Sequence, residues 1–255
     1  MTTNTRALVG ACAMLALASC GSSEEAASTP PASRLTVFAA SSLRSTFTEL
    51  GKKFEAEHPG TSVRFNFAGS ADLVSQLQQG APGDVFASAD AANMDKAAAD
   101  KLLAGSATAF ATNSMIIAVP PNNPAHITTF ADLAKPGVEV VICAPTVPCG
   151  AATKKVESNT GVTLAPVSEE SSVVDVRNKV ATGEADAGVV YVTEAMGSAG
   201  KVVGIAIAGK LNVTNRYPIA VTTSSHSPRL AADFQAFVLG TNGQQVLAEA
   251  GFGPA

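Results

Sequence analysis

The chain has 255 residues, of which 46% are hydrophobic and 15% charged, and its formal net charge at pH 7 is −4. A surface that binds the nucleic acid backbone needs a basic patch, so this balance argues against nucleic acid as a partner. After a leader, residues 34–255 are long enough for one large domain or two lobes of ordinary size.

The N-terminal residues have the pattern of a secretory signal. Arg6 is the only charge before an apolar run over residues 7–18, and small residues follow that run. An apolar core of this length after a basic start is short for a membrane span and is typical of a signal peptide. We therefore predict that residues 1–19 are a signal peptide and that the protein is extracytoplasmic.

The predicted signal ends in the string Leu-Ala-Ser-Cys at residues 17–20, which resembles the lipobox of bacterial lipoproteins. That resemblance implies that Cys20 is lipidated and anchors the protein in the periplasm or on the outer face of the plasma membrane. Residues 20–33 would then be the lipidated cysteine and a flexible tether, because their Gly, Ser, Thr, Glu, Ala and Pro bury little apolar surface. The alternative is an ordinary signal peptide cut near Ala18 or later, with Cys20 incidental.

Two cysteines, Cys143 and Cys149, remain once Cys12 leaves with the leader and Cys20 takes the lipid. Disulfides form and persist outside the cytoplasm, so we hypothesise that these two cysteines are bonded. The alternative is a buried Cys143 on a strand and a free Cys149 in a loop, because bond geometry cannot be deduced from sequence alone.

Strand and helix patterns alternate along the rest of the chain. Apolar runs and period-two alternation predict strands, in chain order, over residues 35–39, 63–67, 84–87, 114–119, 138–143, 187–191, 202–208 and 217–221. Apolar residues at helical spacing predict helices that begin near residues 42, 70, 90 and 151, and further helices over 172–182, 230–239 and 244–250. This alternation predicts an α/β fold, with parallel sheets that carry helices on both faces.

Three predicted strand-to-helix junctions, at residues 39–43, 67–70 and 147–150, share small residues, hydroxyls and free backbone N–H groups. The first turn of a helix has unpaired N–H donors and a partial positive charge, so converging helix starts bind an anion without Lys or Arg. In open α/β sheets, ligands bind at the carboxyl ends of the strands, where these junctions fall. The sequence therefore predicts a receptor for a small oxyanion rather than an enzyme.

Seven segments then occur in order: residues 36–43, 67–70 (Phe-Ala-Gly-Ser), 80–90, 147–150 (Val-Pro-Cys-Gly), 175–177 (Asp-Val-Arg), 188–191 (Gly-Val-Val-Tyr) and 217–221 (Tyr-Pro-Ile-Ala-Val). Together they resemble the molybdate-binding proteins of ABC importers, a branch of the bilobal substrate-binding proteins. The resemblance covers essentially all of residues 34–255, and seven segments in register behind a lipobox make it specific.

The resemblance implies a bilobal periplasmic-binding-protein fold of type II. Two mixed or parallel sheets flanked by helices would be joined by a two-strand hinge, with the ligand in the cleft between the lobes. Lobe I would comprise residues 34–112 and 216–255, and lobe II residues 113–215. At both points where the chain would pass from one lobe to the other, polar residues precede an apolar strand, as expected for a hinge.

The resemblance also implies a set of ligand-binding groups. They are the hydroxyls and amides of Ser42 and Ser70, the backbone amides of Cys149 and Val176, and the phenol of Tyr191. Ser41 adjoins the first serine and could supply an additional hydroxyl. The implied ligand is molybdate or tungstate, so that metal would enter only as molybdenum within the oxyanion, and no cofactor is implied.

The implied function is capture without chemistry: a monomeric lipoprotein binds molybdate, and tungstate also, and delivers it to an ABC permease and its ATPase. One alternative is a binding protein for another tetrahedral oxyanion, such as sulfate. Taken singly, Ser42 and Ser70 could be helix caps and Tyr191 a core aromatic residue. A secreted hydrolase is the remaining alternative, but the histidines stand in no catalytic pattern: His58, His126 and His226.

Overall fold

A computed structural model describes residues 33–255. The predicted signal peptide, residues 1–19, and the predicted lipidation site Cys20 lie outside the described residues. The predicted tether, residues 20–33, lies outside them too, except for Ser33, which is already the first residue of a strand. No helix in the described range combines the length and apolar character that a membrane crossing requires.

Within the described residues, nine strands form one mixed sheet. The strands are β1 (Ser33–Ala40), β2 (Thr61–Ala68), β3 (Val85–Ala87), β4 (Thr108–Val119), β5 (Val140–Cys143), β6 (Ser168–Glu170), β7 (Ala187–Tyr191), β8 (Val203–Ala206) and β9 (Thr214–Val221). Their order across the sheet is β2-β1-β3-β9-β4-β7-β5-β6, and β8 pairs with β4 outside that path.

The sheet consists of two parallel triplets joined by two long antiparallel strands. β2, β1 and β3 form the first triplet, and β7, β5 and β6 form the second. β9 and β4 lie between them, and Asn113 of β4 is directly opposite Asn215 of β9. The pairings β3 with β9, β9 with β4 and β4 with β7 are all antiparallel, so the triplets run in opposite senses. The sheet must therefore curl for the carboxyl ends of both triplets to meet at one place.

Eight α-helices and two 3₁₀ turns connect these strands within the described residues. The helices are α1 (Arg44–Glu57), α2 (Ser70–Gln78), α3 (Ala91–Ala99), α4 (Pro148–Thr160), α5 (Val173–Thr182), α6 (Val192–Met196), α7 (Pro228–Leu239) and α8 (Thr241–Glu249). The 3₁₀ turns are Ser41–Leu43 and Phe130–Ala134. α1 shows how they pack: the apolar face predicted from its spacing is buried, and Phe54 packs edge-on against Phe234 of α7.

The predicted α/β fold is confirmed, with two differences from the sequence analysis. The alternation predicted parallel sheets, but β4 and β9 are antiparallel to their neighbours and extend further than their apolar runs. The short elements β6 and α6 were not predicted, because three polar residues and one helical turn carry little periodic signal. The boundaries of the two predicted lobes, residues 34–112 with 216–255 and residues 113–215, stay a prediction.

Candidate anion-binding site

One small cavity lies where the strand ends of both triplets meet the starts of the helices. The residues that follow β1, β2 and β3 approach it from one side, and those that follow β5, β6 and β7 approach it from the other. Its wall is formed by Ala40, Ser41, Ser42, Gly69, Ser70, Ala89, Val147, Pro148, Cys149, Val173 and Tyr191. Five predicted site residues, Ser41, Ser42, Ser70, Cys149 and Tyr191, are therefore together on this wall.

The cavity is small and its wall is electrically neutral. The centre of a water-sized sphere can occupy about 10 Å³ of it, which is room for one small, compact ligand. None of the eleven wall residues has a charged side chain. An anion held here is surrounded by hydrogen-bond donors rather than by cations, which avoids the cost of desolvating a buried Lys or Arg.

Two serine hydroxyls face the cavity from the first triplet, and neither caps a helix. Ser42 lies in the 3₁₀ turn before α1, and its Oγ is 3.0 Å from the hydroxyl of Tyr217. Ser70 is the first residue of α2, and its Oγ accepts a hydrogen bond from the Ala89 amide at 3.0 Å. Within residues 33–255, no side chain caps α1 or α2. The interpretation of these serines as helix caps is therefore wrong.

The start of α4 brings a backbone amide to the cavity from the second triplet. Cys149, the second residue of α4, is bonded through its sulfur to Cys143, the last residue of β5. The amide of Ala151 is the first in α4 that donates a helical hydrogen bond, to the carbonyl of Val147 at 2.9 Å. The Cys149 amide belongs to the preceding, unpaired positions of the helix. Because its sulfur is used in the disulfide, Cys149 can offer a ligand only its backbone N–H group.

The structure does not place Val176 on the cavity wall. Its amide bonds to the carbonyl of Ser172 at 3.4 Å, which closes the first turn of α5. Ser172 caps that helix by accepting from the amide of Asp175 at 3.3 Å. Val173, the first residue of α5, lines the cavity instead. Val176 lies in the first turn of the same helix, and its role as a ligand-binding group stays a prediction.

Tyr191 ends β7 and presents its phenol to the cavity. The amide nitrogen of Asn215 donates a hydrogen bond to the Tyr191 hydroxyl at 2.9 Å. Burial raises the pKa of Tyr191 well above its usual value, and the neighbouring Tyr217 and the charge of Asp90 raise it further. The phenol therefore keeps its proton across the physiological pH range. It is a neutral group whose oxygen already accepts one hydrogen bond, from Asn215.

A buried polar network behind the wall was not recognised in the sequence. Asn215 also donates to the carbonyl of Ala89 at 3.0 Å. Asn113 donates to Thr193 at 2.8 Å and to the Tyr217 hydroxyl at 3.4 Å. The two asparagines lie in β4 and β9, at the predicted hinge. Polar residues beside apolar strand segments, where the chain was predicted to pass between the lobes, were the signal that could have revealed them.

The carbonyl oxygen of the Asn113 side chain is buried and has no hydrogen-bond partner among the described residues. An unpaired buried acceptor costs about 1–3 kcal/mol. The NH₂ group of the same amide is directed towards Thr193 and Tyr217.

The two sides of the cavity come close together at Gly69. A Cβ atom added to Gly69 would lie 2.2 Å from the carbonyl oxygen of Ser171, which precedes α5. No Cβ atom tolerates such a distance from a backbone oxygen, so the approach requires glycine at this position.

A scan against protein families matches residues 35–253 to the model described as bacterial extracellular solute-binding protein. The molybdate-binding protein ModA of Mycobacterium tuberculosis is 49% identical over 249 residues, which cover 96% of this chain and 95% of that protein. The chain belongs to the bacterial extracellular solute-binding proteins. The resemblance to the molybdate-binding proteins is thereby confirmed.

Solved structures of solute-binding proteins have the same fold. The periplasmic molybdate-binding protein of Azotobacter vinelandii aligns with a TM-score of 0.75 at 22% identity, over 86% of this chain and 98% of that one. The sulfate-binding protein SubI of Mycobacterium tuberculosis aligns with a TM-score of 0.78 at 19% identity, over 88% and 87% of the two chains. These alignments place the strands and helices of this solute-binding protein within a known architecture.

A second pocket of about 160 Å³ in this solute-binding protein borders the cavity at Ser41 and Ser42 and contains charged groups. There Arg177 of α5 forms an ion pair with Glu194 of α6, with a nitrogen-to-oxygen distance of 2.7 Å. Burial raises the pKa of Glu194 to about 7, against the opposing effect of Arg177 and the more distant Arg44. The charges nearest the cavity thus lie outside its wall.

The raised pKa of Glu194 predicts a pH-dependent stability. The folded protein holds a proton on Glu194 up to about pH 7, whereas the unfolded chain loses it near 4.5. The free energy of unfolding should therefore decrease as pH rises between those values, because the folded protein keeps a proton that the unfolded chain has lost. Chemical denaturation at several pH values should show a weaker fall for Glu194→Gln than for the natural protein. The exposed Glu49→Gln is the control and should retain the natural slope; an unchanged slope in Glu194→Gln would contradict the assignment.

Proposed function

We propose that this solute-binding protein captures molybdate, and tungstate of the same shape and charge, in the cavity between the two triplets. The observation that carries the proposal is the neutral wall on which hydroxyls and amides converge from both sides. Support also comes from the molybdate-binding relatives, which match nearly the whole chain. The ligand is cargo, so the protein binds and releases it without a chemical step and without a cofactor.

The proposed ligand-binding groups are the hydroxyls of Ser42, Ser70 and Tyr191, with the backbone amides of Cys149 and Val173. Ser41 is an additional candidate on the same wall. Molybdate and tungstate are fully ionised tetrahedral dianions near neutral pH and offer only acceptor oxygens, which suits a wall of donors. Sulfate is also a dianion with four acceptor oxygens, so discrimination against it must come from the size of the cavity.

In this proposal, the protein captures its ligand when the two predicted lobes close on it by a hinge motion. Residues 34–112 with 216–255 would move against residues 113–215 about β4 and β9, and a ligand that contacts both sides would favour the closed arrangement. The closed, loaded protein would then dock on an ABC permease whose ATPase supplies the energy. It would act as a monomer held at the membrane through a lipid on Cys20. The family match to solute-binding proteins supports a receptor rather than an enzyme.

Calorimetric titration with molybdate, tungstate, sulfate and phosphate tests the proposal. We expect one-to-one binding of molybdate and tungstate and no heat from sulfate or phosphate. Binding of sulfate alone would keep the site and change the transported anion. A folded protein that binds none of the four would contradict the proposed function.

Tyr191→Phe tests whether the phenol contacts the anion. The change removes one hydrogen bond to a charged ligand and leaves the ring in place, so molybdate binding should weaken by roughly 1–3 kcal/mol. Thermal denaturation without ligand provides the check that the variant is folded. An unchanged dissociation constant would remove Tyr191 from the site.

Gly69→Ala tests whether affinity depends on the close approach across the cleft. The new methyl group would collide with the carbonyl of Ser171, so the cleft should stay partly open and molybdate should dissociate faster. Gly105→Ala is the matched control, because an added Cβ there meets nothing within 4 Å. We expect at least a tenfold loss of affinity, about 1.4 kcal/mol, for Gly69→Ala only. Equal affinities of the two variants would show that this contact does not govern binding.

A further inference from the structure

The disulfide between Cys143 and Cys149 closes a short loop that forms part of the cavity wall. It joins the last residue of β5 to the second residue of α4. The last three residues of this loop, Val147, Pro148 and Cys149, all line the cavity. The bond therefore links the sheet directly to the part of the loop that faces the ligand.

Cys149 supplies the first backbone N–H group of α4. Pro148, the first residue of the helix, has no N–H group. The amide of Val147 is used within the loop, where it donates to the carbonyl of Ala144 at 2.9 Å. The donors that α4 offers to an anion thus begin with the Cys149 amide, and the position of this amide depends on where the start of the helix is held.

Two contacts hold the start of α4 in place besides the turn within the loop. On one side it packs tightly against the end of β5, since a Cβ atom added to Gly150 would collide with the carbonyl oxygen of Ala144. The disulfide makes this contact covalent. On the other side the side chain of Asn215 donates to the carbonyl of Pro148 over a long 3.4 Å. Of the two, the covalent bond is the stronger restraint on the helix start.

The loop length and the burial of the bond indicate a local effect. A disulfide stabilises a protein by restricting its unfolded chain, and this effect increases with the length of the closed loop. Cys143 and Cys149 are only six positions apart, which is a short loop. Their exposed fractions are 0% and 2%, so a reductant reaches the bond only when the cavity wall opens.

We propose that the disulfide between Cys143 and Cys149 is a positioning element of the anion site, which holds the Cys149 amide against the ligand. The inference rests on the proposed function, because it concerns the geometry of the same cavity. Breaking the bond leaves the amide chemically intact but releases the start of α4 from the sheet, so the oxyanion is bound more weakly. By thermodynamic linkage, a bound oxyanion makes the disulfide harder to reduce by the same factor.

Molybdate titration of the oxidised and the reduced natural protein tests the proposal. A dithiol attacks one sulfur and the S–S bond breaks; two electrons and two protons pass to the cysteines, and the reagent closes to its own cyclic disulfide. The reagent is then removed without air, because thiols also react with molybdate. We expect the reduced protein to bind molybdate about tenfold more weakly, the scale of one weakened hydrogen bond to a charged ligand.

Two double variants separate the bond from the sulfur atoms. They are Cys143→Ala with Cys149→Ala, and Cys143→Val with Cys149→Ala, which refills the end of the buried strand. Each one that thermal denaturation shows to be folded should bind molybdate as weakly as the reduced protein. Val156→Ala is the matched control, because Val156 is fully buried in α4, two turns after Cys149. It should lower the denaturation temperature but keep the affinity within about twofold, since its cavity lies away from the helix start.

The reciprocal effect supplies a second readout, on the natural protein. In a glutathione redox buffer, saturating tungstate, a poorer oxidant than molybdate, should raise the ratio of oxidised to reduced protein. The factor should equal the loss of tungstate affinity on reduction, and alkylation of free thiols with intact mass measures it. Equal affinities of the oxidised, reduced and double-variant proteins would overturn the proposal and leave the disulfide a purely stabilising bond. The proposed function fails separately, if the oxidised natural protein binds neither anion.

Discussion

The antiparallel pairing of β4 with β9 determines how the two parallel triplets face each other. These strands are antiparallel to each other and to their outer neighbours, so they reverse the direction of one parallel triplet relative to the other. The curl that follows brings the carboxyl ends of six parallel strands to a single cavity. The same two strands bury Asn113, Asn215 and Tyr217 directly behind that cavity. The two strands thus supply both the curl of the sheet and the polar side chains behind the cavity.

Neutral hydrogen-bond donors line the cavity, whereas charged side chains line the neighbouring pocket. The cavity wall has hydroxyls, amides and small apolar residues, while Arg177 donates a hydrogen bond to Glu194 in the neighbouring pocket and Arg44 lies over the ring of Phe67. An anion bound by fixed dipoles gives up its water for groups that need no reorganisation. A cation in the wall would attract every anion of the right charge and would itself have to be desolvated. Neutral donors leave the size of the cavity to decide which dianion enters.

The sequence predicted the α/β fold and most of the cavity wall, because both depend on local patterns. Strand ends followed by Ser42, Ser70 and Cys149 are visible as short strings, and the resemblance added Tyr191. The resemblance also implied Val176, whereas the residue of α5 that lines the cavity is Val173, at the start of the helix. The network behind the wall could not be predicted: Ser42 and Tyr217 are 175 positions apart, and only the folded sheet makes them neighbours. The antiparallel reversal at β4 and β9 was missed for the same reason, as it depends on tertiary pairing rather than on periodicity.

The central claim is that neutral donors from both triplets hold the oxyanion. The most direct measurement is a crystal structure of the molybdate complex, with the metal located by anomalous scattering at the molybdenum absorption edge. We expect one peak inside the cavity, with molybdate oxygens within hydrogen-bond distance of Ser42, Ser70, Tyr191 and the amides of Cys149 and Val173. A peak in the neighbouring pocket, with oxygens bound by the side chains of Arg44 and Arg177, would contradict it.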